Sequence, residues 1–400
     1  MAAALFAKSA GASVLLLEHN DKLGKKLYIT GKGRCNVSNL CGIEEFLEQV
    51  PRNPRFLHAA LALLSPQKLR ELLDSLGCPT VVERGNRVFP ASQKASDVTR
   101  ALSKGLLAGE VRLSAEAAAL LLDGRSIIGV RLNTGEEVKG KCLVLATGGL
   151  SYPVTGSTGE GHRMAQEAGH PVSSLFPSLT GLETMDAWPS LLQGLTLKNT
   201  VLAASWPKKG KYREQGELLF THFGISGPLA LTLSSHLAGM DLNTVQAWID
   251  LKPALEMDTL SARLDRDIRQ YGRKQVSSIL PEYMPANLAA VFPELAGVSG
   301  VRQLGQLTLK ERSALAGTMK RLPLMLKSLR PFSESVITRG GVDVRQINPS
   351  SMESRLVDGL YFAGELLDVD ALTGGFNLQI ALSTGALAGT SAAERATHSY

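Results

Sequence analysis

An alanine-rich stretch, a glycine and an apolar run ending in an acid open the chain, and this order limits the fold more than any other feature. Residues Ala2 to Ala10 are small and apolar, suited to a helix packed closely on a sheet, and Gly11 stops it where a left-handed cap is wanted. Ser13-Val14-Leu15-Leu16-Leu17-Glu18 follows. A continuous apolar run reads as a strand buried on both faces of a parallel sheet, since a strand with one wet face would alternate. Helix then buried strand is the back half of a βαβ unit. In such a unit the acid ending the second strand accepts hydrogen bonds from a dinucleotide ribose, and Glu18 stands in that place. The front half would be a first strand and a G-x-G-x-x-G turn, which brings backbone N–H groups to a pyrophosphate; neither precedes Met1. That strand belongs in the middle of the sheet, so the reading implies a misplaced start codon or a truncated product.

Further along, Gly24 to Asn39 is dense in glycine, lysine and hydrogen-bonding side chains, as a loop that wraps an anion would be. Arg34 and Asn36 supply donors there, and the same composition also suits a solvated turn. Asp123-Gly124 and Asn133-Thr134-Gly135 separate short strands, predicting an antiparallel meander. Lys141 to Gly149 is a second buried strand with an Ala-Thr-Gly-Gly ending, where small residues let backbone and cofactor meet. Gly359 to Asp368 is a third, ending in Gly364-Glu365. A helix then starts after Thr373-Gly374-Gly375-Phe376-Asn377; its free N–H groups suit the negative charge of a reduced flavin ring.

The pattern changes between these segments. From about Pro177 to Arg330 all three tryptophans occur, with strands around 196–205 and 245–251 and helices around 255–271, 285–292 and 309–315. The domains expected are 1–178, an insert over 179–333, and 334–400 returning to the first. His222 lies in the insert within a compact polar loop, Thr221 to Pro228, where a histidine can protonate a substrate, bind an anion or be structural.

Composition narrows the surroundings. At 400 residues the chain exceeds one minimal domain, and 44% hydrophobic with 20% charged residues is ordinary for a water-exposed protein. The net charge of +6 suits an anionic cofactor without demanding nucleic acid. Cys35, Cys41, Cys78 and Cys142 are scattered with no C-x-x-C pair, so neither zinc nor a disulfide framework is expected and a reducing cytoplasm fits best. No apolar run is long enough to cross a bilayer and no signal sequence is read.

Six ordered motifs carry a resemblance: Leu23-Gly24-Lys25-Lys26 with 31–39, Arg87-Val88-Phe89-Pro90, Ala146-Thr147-Gly148-Gly149, Phe220-Thr221-His222 with Ser226-Gly227-Pro228, Thr338 to Val342, and Tyr361 to Glu365 through Gly374 to Gln379. From Met1 to about Ala393 the chain resembles the bacterial aminoacetone-oxidase-like NAD(P)/FAD-dependent oxidoreductases, which include a bile-acid-pathway reductase. The resemblance implies an α/β fold: a three-layer, glutathione-reductase-like FAD-binding Rossmann domain interrupted by an inserted β-barrel and a small helical domain. It implies FAD held by Glu18, Lys26, Arg34, Asn36, Thr147, Gly148, Gly364, Glu365, Gly374, Gly375, Phe376 and Asn377, with Asp368 placing the flavin or nearby loops.

The expected activity is hydride transfer between NAD(P)H, flavin and a small organic substrate, with reduction of an enone favoured over amine oxidation. His222 and Tyr152 are the candidate proton donors. Two alternatives stand beside this: a flavoprotein acting on RNA, and an inactive truncated remnant. Clusters such as Lys208-Lys209-Gly210-Lys211 favour RNA, whereas the lack of aromatics interleaved with them in sequence argues against nucleic acid. No membrane partner is expected, and the oligomeric state is left open.

Overall fold

Residues 1–398 are described, in a computed structural model. The chain forms two compact units, one of residues 1–178 with the segment from 331 onward, the other of residues 179–330.

The first unit begins with α1 (Ala2–Ser9), β1 (Leu16–Leu17) and a short α2 (Lys25–Ile29). The anion-loop reading of 24–39 thus gives way in part to helix, because Leu27 has an apolar wall to bury against. Then come β2 (Val111–Arg112), β3 (Ala117–Asp123), β4 (Ser126–Leu132), β5 (Glu137–Lys139) and β6 (Leu143–Leu145), followed by α3 (Glu160–Glu167). Strands β3 to β5 form the antiparallel meander their turn residues predict.

The second unit holds β7 (Leu182–Thr184), β8 (Thr196–Trp206), β9 (Gly210–Thr221), β10 (Gly224–Ser226) and β11 (Gln246–Asp250). Helices α4 (Met257–Tyr271), α5 (Ala286–Leu295) and α6 (Leu309–Lys320) precede β12 (Leu322–Leu324) and β13 (Leu326–Leu329). Leu260, Leu264 and Ile268 recur every four residues on α4 and are all buried, which is why that segment is helical and which way it faces. The seven strands pair in the order β12-β11-β8-β9-β10-β7-β13. Only Met325 separates the two edge strands, so the sheet curls until both edges meet one run of chain.

Returning to the first unit, β14 (Leu360–Phe362) pairs in parallel with β6, and α7 (Phe376–His398) closes the fold. Helix α7 packs against α1 with little room: a Cβ on Gly389 would lie 2.1 Å from the Ala3 carbonyl oxygen. The small residues of both helices are therefore a packing requirement. Gly389→Ala is expected to cost about 1–3 kcal/mol through overpacking, read as a lowered denaturant midpoint; an unchanged midpoint would mean the helices separate freely.

Candidate functional site

Two half-sheets in the first unit leave a slot. Among the described residues, strand β1 pairs only with β2, and β6 only with β14, all in parallel. The Glu18 N–H bonds to Arg112 O and the Leu143 N–H to Gly359 O, so the alternate residues Leu17 and Val144 turn their main-chain groups away from those partners. Residues 13–20 and 141–148 both line one cavity of about 1130 Å³. Helices α1 and α7 supply further wall residues, as does the meander through Ala117, Val130 and Val138. Leu15, in an apolar run suited to complete burial, is left 44% exposed. Among the described residues no strand fills this position.

Four separated segments meet at Glu365. Its Oε2 accepts from Lys26 Nζ at 2.6 Å, and its Oε1 accepts from the Ser151 hydroxyl at 2.8 Å and the Thr338 N–H at 2.7 Å. Lys26 Nζ also donates to Ser151 Oγ at 2.7 Å. Burial alone would push the Glu365 carboxyl up, but the Lys26 ammonium and these donors outweigh it and hold the group below its ordinary value. It is a carboxylate at neutral pH, beside the cavity.

Of the residues named from sequence, Glu18, Lys26, Thr147, Gly148, Gly364, Glu365 and Asn377 line the cavity. Glu18 Oε1 accepts from the Asn20 N–H and from Asn20 Nδ2, which orients the carboxylate and leaves Oε2 without a hydrogen bond among the described residues. Thr147 Oγ1 nests against α3, 1.8 Å from where a Cβ on Gly161 would stand.

The others lie off the cavity wall. Arg34 donates from Nε to Gln93 and from Nη2 to Glu83 and lies over the Phe89 ring. Asp368 is buried and forms an ion pair with Arg52, at 2.5 Å from Nε and 2.7 Å from Nη2, so it anchors the loop before α7. The Asn377 side chain also serves that loop, bonding Ala371 N and O at 2.9 and 2.7 Å. Asn36 abuts the turn that opens α7: its buried Oδ1 has no hydrogen-bond partner and lies 2.8 Å from a Cβ position on Gly375. Gly374 and Phe376 belong to the same turn, where the Gly374 carbonyl accepts from Asn39 Nδ2 at 3.2 Å. Gly375 has φ +101° and no space for a side chain beside Ser38 O.

The two proposed proton donors fall in different units. Tyr152, with φ +51°, starts the Pro153–Thr155 turn of the first unit and is absent from the cavity lining. His222 is exposed at the turn from β9 to β10, with its ring edge-on to Phe223. Sequence reasoning missed Ser151 and Thr338, which complete the Glu365 cluster, and it missed Arg52. Ser151 carries no local signal, whereas Thr338 lies inside one of the six motifs.

The profile of the HI0933-like protein Rossmann domain matches residues 1–391. The chain belongs to that family. Among HI0933-like relatives, the 3-dehydro-bile acid delta(4,6)-reductase of Clostridium scindens is 29% identical over 403 residues, covering 99% of this chain and 96% of that protein. The ribosomal RNA dihydrouridine synthase of Escherichia coli is 30% identical over 383 residues, covering 94% and 91%. In fold the chain is similar to the open conformation of a flavocytochrome c3 fumarate reductase, with a TM-score of 0.50 at 19% identity, covering 99% of this chain and 76% of that one. The chain is thus an FAD-dependent oxidoreductase with a Rossmann-type α/β fold. No helix among the described residues is long and apolar enough to cross a membrane.

Proposed function

We propose that this HI0933-like protein reduces a carbon–carbon double bond conjugated to a carbonyl, using NAD(P)H as electron donor. The observation that carries the cofactor part is the cavity. Its volume of about 1130 Å³ includes the slot between β1 and β6, and Glu18, Thr147, Gly148 and Gly364 line it. Its wall holds a free carboxylate oxygen on Glu18, and a turn of α7 lies beside the unpartnered Asn36 Oδ1. These residues fit an FAD. Glu18 would take a ribose, Thr147, Gly148 and Gly364 would let the dinucleotide lie close to the main chain, and the start of α7, where Asn377 lines the cavity, would offer N–H groups to the ring. Lys26 and Glu365 would fix the polar wall between them. Arg34 and Asp368 act at one remove, by holding their loops.

The reaction class rests on two relatives' names. A delta(4,6)-reductase of a 3-dehydro-bile acid and a dihydrouridine synthase both name the saturation of a double bond conjugated to a carbonyl. When bound, FAD would supply the hydride-transfer chemistry between NAD(P)H and the conjugated double bond. The chain must then provide one proton to the α-carbon, and His222 and Tyr152 are the proposed sources. A small organic enone in the cytoplasm is the favoured setting.

The test is to incubate the purified chain with FAD, follow flavin absorbance and fluorescence, and then measure anaerobic consumption of NADH and NADPH with and without a steroid enone. The reading expects bound flavin and enone-dependent oxidation of one nicotinamide. A colourless protein that takes up no FAD overturns it, and flavin bound without enone turnover removes the substrate assignment.

A further inference from the structure

One cation of the second unit is held by a ring instead of an anion. Arg321 is the exposed residue between α6 and β12, and its guanidinium carbon lies 4.0 Å from the centre of the Trp248 ring on β11. Its side chain has no hydrogen bond and no ion pair among the described residues. Stacking places the guanidinium and leaves its N–H donors unspent. Acids in the neighbouring segments are committed to the main chain or to an amide. Asp186 Oδ2 accepts from the Met325 N–H at 2.6 Å, and Asp241 Oδ1 accepts from the Asn243 N–H at 3.1 Å and from Asn243 Nδ2 at 2.9 Å. The cation left without an acid here is Arg321.

Trp248 and Arg321 both line a cavity of about 370 Å³. Leu242, Val245, Ala247, Leu324 and Leu326 give it an apolar floor, and all five are buried. Its outer wall is apolar too, since Met185 and Met325 line it and are 59% and 54% exposed. Thioethers left in water beside a pocket gain when a ring covers them, because sulfur is polarizable and meets aromatic edges well. The volume lies at the lower end of the roughly 300–1000 Å³ usual for ligand pockets, which suits one or two rings and not a larger body. None of these residues lines the cavity that holds the slot between β1 and β6, so this is a separate site.

We propose that this cavity binds a small aromatic carboxylate of one or two rings. The carboxylate takes two N–H groups of Arg321, a planar pairing that a lysine ammonium cannot reproduce. The ring lies over the apolar floor and against the two thioethers. An inorganic anion would make no use of the floor, and a neutral hydrocarbon none of the cation; an aryl carboxylate uses both. Charge complementarity thus selects the ligand's head, and the buried leucines and exposed methionines select its body.

The whole chain, without added flavin, is titrated by calorimetry at low salt with naphthoate, with its uncharged amide and with its fully saturated analogue. Naphthoate should bind about 10- to 100-fold more tightly than the amide, as a charge-assisted pair requires. It should bind about 2- to 10-fold more tightly than the saturated acid, through the sulfur–ring contacts. Arg321→Gln, a change at an exposed side chain, should bring naphthoate down to the affinity of the amide and leave the amide where it was. Arg321→Lys should restore only part of the difference. No heat with naphthoate, equal binding of acid and amide, or an Arg321→Gln chain that binds naphthoate like the parent overturns the site; a saturated acid that binds as tightly as naphthoate overturns the aromatic assignment. Because no cofactor takes part and the lining residues are distinct, the outcome is independent of the redox reading.

Discussion

Lys26→Met should cost the folded chain about 2–4 kcal/mol at neutral pH, and the loss should shrink as the pH is lowered. Removing one partner of a buried ion pair typically costs 3–5 kcal/mol, because a charge is left without compensation. Here the two side chains are 25% and 18% exposed, so solvent takes up part of that cost. The pH dependence has a definite sign. In the parent protein Glu365 is held below 4.5, so its contribution is fully present above that pH and is lost as the pH falls through its lower folded-state value. Without Lys26, burial dominates and the carboxyl moves up, so stability now falls as the pH rises. Urea unfolding from pH 4 to 8 separates the cases. Parallel curves for parent and variant would show that Lys26 does not hold the Glu365 charge. Adding Glu365→Gln should recover most of the loss.

Asp370→Asn should act in the opposite direction, stabilising the chain by about 1–3 kcal/mol at pH 7.5. Asp370 is 2% exposed, and neither carboxylate oxygen has a hydrogen-bond partner among the described residues. Burial, with the Asp368 charge adding to it, raises its pKa from 3.8 to about 6, against the pull of Arg339 and Arg52. A carboxyl raised in the folded state favours folding when protonated. Stability is therefore lost as the pH climbs from about 4 through 6, by an amount on the order of 3 kcal/mol. Asparagine removes the charge but keeps buried polar atoms, so only part of this is regained. The parent and Asp370→Asn should converge below pH 4. A variant less stable than the parent at pH 7.5, with the same pH dependence, would show that the ionised Asp370 is compensated by its neighbours.

Much of the first unit was legible because its signals are local. The strand ending at Leu145, the acid after Leu17 and the helix after Gly375 each depend on the residues beside them. Donor-rich positions are read only in part for the same reason. Arg34 looks like an anion contact in its own loop, and Glu83 and Gln93, some fifty residues away, take its Nη2 and Nε donors. Asn377 reads as part of a ligand turn, but its amide is used on Ala371.

By itself, the sequence determined the periodicities: which runs are continuously apolar, which alternate, where glycine lets the backbone turn, and that an acid follows the strand of Leu16 and Leu17. These follow from backbone geometry and neighbouring side chains. Only the tertiary structure decided who meets whom. It brought Lys26 to Glu365 across 339 residues, left an open slot between β1 and β6, and set Arg321 over the Trp248 ring. Such meetings depend on strand register and loop closure, which are fixed only when the whole core packs, and no window of sequence contains that information.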